Sequence, residues 1–110
     1  MKFFVCSNNR INTVYHEFQK GCFDGKTFWK DDSICLSDDQ LFTLGVEKLF
    51  YRTIPDYSDT DEVEVTPKAW EAVKTKAQSL GGDIRECIAE ADEWAQSAFS
   101  EYGVFTIIGV

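Results

Sequence analysis

The chain has 110 residues, 44% of them hydrophobic and 15% aromatic, with a net charge of −8. That length and apolar content suit one packed α/β domain over residues 1–110 and exclude a low-complexity disordered chain. No stretch approaches the roughly 20 apolar residues needed to cross a bilayer, and the acidic balance opposes binding to nucleic-acid phosphates.

The apolar run at the N-terminus, Phe3-Phe4-Val5-Cys6, is too short for the hydrophobic region of a secretory signal, so a cytoplasmic location is expected. Lys2–Cys6 reads as a short buried strand. Asn8 and Asn9 offer helix-capping oxygens, and Ile11, Val14, Tyr15, Phe18 and Cys22 recur at helical spacing, with Gly21 as a stop. This predicts a helix carrying the sole histidine, His16, beside its apolar stripe. Between Cys22 and Leu36 the pattern weakens, and Lys26–Lys30 reads as either a strand or an aromatic-anchored loop.

Ser37-Asp38-Asp39-Gln40 has the form of a capping box, in which the Ser37 hydroxyl and the Gln40 amide satisfy exposed backbone N–H groups and the two acids favour the positive helix end. A helix should follow, with Leu41, Phe42, Val46, Leu49 and Phe50 inward and Gly45 as a weak point in its interior. Thr53–Ser58, with Pro55, reads as a loop, and Asp61-Glu-Val-Glu-Val65 as a strand with one wet face. Thr66-Pro67 opens a third helix with Trp70, Val73, Ala77 and Leu80 on one stripe, ended by Gly81-Gly82. Asp83 caps a fourth, whose apolar face runs from Ile84 to Tyr102, and Gly103 stops it. Val104–Val110 is apolar almost throughout, as befits a strand covered on both faces. The resulting order, β-α-α-β-α-α-β, predicts a small, mainly parallel sheet of three or four strands flanked by about four helices, with the last strand central.

Chemistry is sparse. The cysteines at 6, 22, 35 and 87 have neither zinc nor redox spacing, which makes reduced, partly buried thiols the expectation. Asp56–Glu64 lacks the central glycine and ligand order of a calcium loop, and no glycine-rich loop cradles phosphate. Neither a cofactor nor a metal is expected. A thiol or a pair of carboxylates leaves a small enzyme as the minority reading.

The charge is unevenly spread. Residues 31–64 hold ten acids and two bases, which accounts for the whole net charge, while the rest of the chain carries nine of each. Aromatic residues lie among those acids. Trp29, Asp31, Asp32, Asp38, Asp39, Asp56, Tyr57, Asp59, Asp61, Glu62 and Glu64 are therefore the candidate surface for a basic protein partner, since carboxylates steer and pair with Lys and Arg while aromatic residues anchor. An acidic nucleic-acid mimic acting on a DNA-binding protein is the alternative.

An acidic domain of this size, with a concentrated negative segment and no catalytic signature, resembles the immunity proteins that neutralise bacterial nuclease toxins, including those of contact-dependent growth inhibition systems. The predicted element order is similar to that of barstar-type ribonuclease inhibitors, most clearly at Ala98-Phe-Ser-Glu-Tyr102, Gly103 and Val104-Phe-Thr-Ile-Ile108. The resemblance implies occlusion of a toxin by carboxylates lying where phosphates would sit, with no catalysis by this chain.

Overall fold

The computed structural model describes all residues, 1–110. Five strands, β1 (Val5–Cys6), β2 (Tyr15–Lys20), β3 (Ile34–Ser37), β4 (Glu62–Val65) and β5 (Phe105–Ile108), form one sheet in the order β1-β3-β2-β5-β4. Every neighbouring pair is antiparallel. The helices are α1 (Asp38–Thr43), α2 (Val46–Thr53), α3 (Pro67–Leu80) and α4 (Gly82–Tyr102).

The expected parallel sheet of three or four strands is thus wrong, and the error has a local origin. Ile11, Val14, Tyr15 and Phe18 match helical spacing, but Ile11 and Val14 lie exposed, and Tyr15–Lys20 is a strand hydrogen-bonded on both sides. Residues Ile34–Ser37, of which the first three read as the end of a weakly patterned segment and Ser37 as a helix cap, are its partner. With three strands before the first helix, the order begins β-β-β, and each strand meets a neighbour running the other way. The predicted order that carried the barstar likeness is accordingly not the observed one, although α4, Gly103 and β5 follow one another as read.

The second expected helix is two. Ser37 caps α1 by accepting the Gln40 amide at 3.2 Å, but Gly45 adopts φ +83° and turns the chain before α2. Only glycine enters that left-handed region without strain. Thr66 caps α3 through the Ala69 amide, with Pro67 in its first turn. Asp83 sits inside α4, whose N-cap is Gly81. β4 alternates exposed and buried residues, and β5 is buried along its whole length at an interior position.

All four helices cover one face of the sheet. Strand alternation points Phe18, Ile34, Leu36, Val63, Val65, Phe105 and Ile107 toward them. Phe18 is the hub: its ring lies 5.3 Å from that of Phe4, 6.2 Å from Phe50 and 6.3 Å from Trp94, and stacks on Phe105 at 5.8 Å. Trp70 of α3 is fully buried, and its indole N–H donates to Asp92 on α4 at 2.8 Å. The Glu90 carboxylate accepts the backbone N–H groups of Lys2, Phe3 and Phe4, which fastens the N-terminus to α4.

The opposite face is polar and is covered by chain, not by helices. Glu17, Gln19, Cys35 and Thr106 point there and are buried. Segment 21–33 crosses them as a strap. The Glu17 carboxylate accepts the Trp29 and Lys30 amides at 2.7 and 2.9 Å and the Ser33 hydroxyl at 2.6 Å. Gln19 donates to the Thr27 carbonyl, and Thr106 to that of Gly21.

Candidate partner-binding surface

β4 is an edge strand, and its backbone defines what that edge offers. The Gly109 amide donates to the Asp61 carbonyl at 3.0 Å, so Asp61 and Gly109 form a hydrogen-bonded pair. Along the same register Val63 pairs in this way with Ile107 and Val65 with Phe105. The N–H and C=O groups of Glu62 and Glu64, at the non-hydrogen-bonded positions of this register, consequently point away from the sheet. Their side chains are exposed as well. Gly109 is what lets the preceding loop close onto β5: a Cβ there would stand 2.6 Å from the Asp59 carbonyl oxygen.

Beside this edge lies a groove of about 420 Å³ lined by Pro55, Asp56, Glu62, Val63, Glu64, Thr66 and Ala69. It contains three carboxylates and no cation. Asp56 takes φ +61°, a conformation that Asp tolerates better than most residues. Asp59 and Asp61 precede the strand, and the Asp59 carboxylate accepts the Tyr51 hydroxyl at 2.8 Å, which raises the Tyr51 pKa. The only other lateral edge is the two-residue β1.

The remaining candidate residues do not join this cluster. Asp38 and Asp39 begin α1 at the same end of the sheet, but β2 and β5 intervene, a separation of roughly 14 Å for three strand spacings. Asp38 is paired with His16, whose Nε2 lies 2.8 Å from its carboxylate. Asp31 and Asp32 precede β3 at the opposite end, where the Asp32 carbonyl accepts the Trp94 indole N–H. Trp29 belongs to the strap: it adopts φ +59°, turns its amide onto Glu17, and stacks under the Arg10 guanidinium at 3.6 Å. Tyr57, read as a surface anchor, is 6% exposed and packs on Phe50 and Tyr51. Burial pushes its hydroxyl pKa well up, helped by the Asp59 charge. A ring with apolar neighbours on its flanks is retained by the core, which sequence spacing among acids cannot indicate.

None of the candidate acids forms a salt bridge with a Lys or Arg of the chain; the Asp38–His16 contact is their single pairing with a basic side chain. Elsewhere the thiols are quiet. Burial pushes Cys87 up to about 12 and Cys35 up to about 11, so their thiolate forms are scarce at neutral pH. Cys22, exposed on the strap, is raised by the neighbouring Glu64 carboxylate. No group of three or more His, Cys, Asp or Glu side chains has metal-binding geometry, and no helix is long and apolar enough to cross a membrane.

Two buried polar side chains escaped the sequence reading. Glu17 and His16 sit within Tyr15-His-Glu-Phe-Gln-Lys20, whose alternation about Phe18 is a strand signal once the helical one is set aside. His16 is fully buried on the helix side of the sheet, not on a helix, and its Nδ1 has no partner.

The chain matches no known protein family, no curated protein and no solved structure.

Proposed function

We propose that this chain is a non-catalytic binding protein of the immunity or inhibitor type, which neutralises a basic protein domain by covering it. The observation that carries the reading is the β4 edge: four outward-facing backbone groups bordered by Asp56, Glu62 and Glu64, with no cation of the chain's own to neutralise them. An extended segment of a partner can pair with such an edge while its Lys and Arg side chains meet the carboxylates. Pairing between two copies of β4 would set glutamates against glutamates, a like-charge penalty that favours a basic partner. Field strength at an unneutralised acidic edge also speeds encounter with a cationic surface.

The test compares capture by the immobilised wild-type chain with capture by two variants. Glu62→Lys/Glu64→Lys reverses the charge, and Glu64→Pro removes an outward N–H while leaving the pairing with β5 intact. The expected result is one basic protein, retained by wild type, lost from both variants, and less harmful to cells when the wild-type chain is co-expressed. Retention that both variants leave unchanged overturns the reading, as does a captured protein whose effect on cells is indifferent to this chain.

A further inference from the structure

The acidic edge has an opposite elsewhere. Between α2, α3 and the start of α4 lies a cavity of about 190 Å³ lined by Gly45, Lys48, Leu49, Arg52, Lys76, Leu80 and Ile84. Three cations and no acid surround an apolar floor, in a chain with 19 acids against 11 Lys and Arg. None of the three takes part in a salt bridge. Lys48 and Arg52 are one turn apart on α2, and Lys76 and Leu80 one turn apart on α3, so both pairs project from single faces onto the same space.

A second, independent feature points the same way. The N-termini of α1 and α3 are closed by the Ser37 and Thr66 side chains, whereas those of α2 and α4 have no side-chain cap. Residues from the first turns of those two uncapped helices, Lys48 of α2 and Ile84 of α4, line this cavity, as does Gly45, the N-cap of α2. Helix N-termini carry partial positive charge and unpaired N–H groups. Glu47 and Asp83 lie in the same first turns, but neither lines the cavity. Gly45 also keeps the wall thin, since a Cβ there would touch Ile84 Cδ1 at 3.4 Å.

We propose that this cavity binds a small amphipathic carboxylate, a single aromatic ring or hydrocarbon of equal size bearing one anionic group. The volume suits one ring, since a cavity of about 150 Å³ accommodates benzene. Leu49, Leu80 and Ile84 take the ring, and Lys48, Arg52 and Lys76 take the carboxylate at the rim. The site is separate from the β4 edge and stands whether or not that edge binds a protein.

The test is a titration of the full chain with phenylacetate, followed by amide chemical shifts, with benzyl alcohol and acetate as the uncharged and ringless controls. Saturable shifts centred on Gly45, Leu49 and Ile84 are expected, with Kd about 1 mM for a ligand of this size and at least about tenfold weaker binding of either control. Lys48→Gln/Arg52→Gln/Lys76→Gln should weaken phenylacetate at least about tenfold. Leu80→Glu, which places a carboxylate at the mouth, should do the same and serves as the second variant if the triple one folds poorly. Benzyl alcohol binding as tightly as phenylacetate, shifts centred elsewhere, failure to saturate, or indifference to the variants overturns the proposal.

Discussion

The two faces of the sheet are covered by different chemistry. On the helix side Phe18, Phe105 and their neighbours fill space with rings and aliphatic groups, an attraction that is strong but indifferent to small changes of angle. On the strap side the closing contacts are hydrogen bonds to Glu17, Gln19 and Thr106, which are buried and depend on each partner being in place. The consecutive amides of Trp29 and Lys30 converge on one carboxylate because Trp29 takes a left-handed backbone conformation, a small anion nest with a side chain of the chain as its anion. Two ways of covering a sheet should therefore fail differently.

The largest expected effect is on the apolar face. Phe18→Ala should lower unfolding free energy by about 3–5 kcal/mol, measured by urea denaturation, with hydrogen-exchange protection reduced throughout the sheet. An effect under about 1 kcal/mol would mean that the aromatic cluster is not the organising contact.

Next comes the polar face. Glu17→Ala strands two amides and a hydroxyl, at a cost of about 2–4 kcal/mol, and unlike Phe18→Ala it should release the strap first. Exchange at the Trp29 and Lys30 amides should accelerate while the β2–β5 amides remain protected. Equal acceleration at both would erase the distinction between the faces.

A smaller effect concerns the polar clasp within the helix layer. Burial raises the Asp92 pKa, but hydrogen bonds from Gln96 and Trp70 and the charge of Lys74 outweigh it, so the folded value lies below that of an ordinary aspartate. The native state then binds this proton less readily than the unfolded chain does. The contribution of Asp92 is complete above the unfolded value of about 3.9 and is lost as pH falls through the lower folded one. Asp92→Asn should remove about 1 kcal/mol at neutral pH and flatten the acid limb of a plot of stability against pH. A variant whose acid limb matches wild type would deny Asp92 that role.

The smallest effect belongs to the acidic edge. Glu62→Gln/Glu64→Gln should change stability by no more than about 0.5 kcal/mol, because exposed side chains without ion pairs contribute little to folding. A larger loss would show these glutamates holding the fold together, leaving them less free to serve a partner.

Legibility of the fold followed the range of the forces involved. The capping serine of α1, Thr66-Pro67 before α3, the amphipathic face of α4, the wet-and-dry alternation of β4 and the uninterrupted apolar run of β5 all lie within a few residues of chain, and all were readable there. β2 was not, because its apolar residues satisfy helical spacing by coincidence while the hydrogen bonds that decide against a helix come from β3 and β5. Strand direction was equally hidden, since it depends on how many strands precede the first helix.

The candidate surface divided along the same line. Charge concentration between residues 31 and 64 is a property of the sequence, whereas the lack of ion pairs at the acids of the β4 segment is seen only in the folded chain. The split of the acids between opposite ends of the sheet, and the withdrawal of Tyr57 into the core, depend on contacts between residues far apart in the chain. Lys48, Arg52 and Lys76 belong to two helices, so nothing in their spacing announces a shared cavity. The sequence by itself determined the capped starts of α1 and α3, the amphipathic face of α4, the character of β4 and β5, and the net charge. Tertiary structure alone decided the sheet's antiparallel pairing, the strap's anchorage on Glu17 and the meeting of cations around an apolar floor, because hydrogen bonds and charges act through space whose distances the order of residues does not contain.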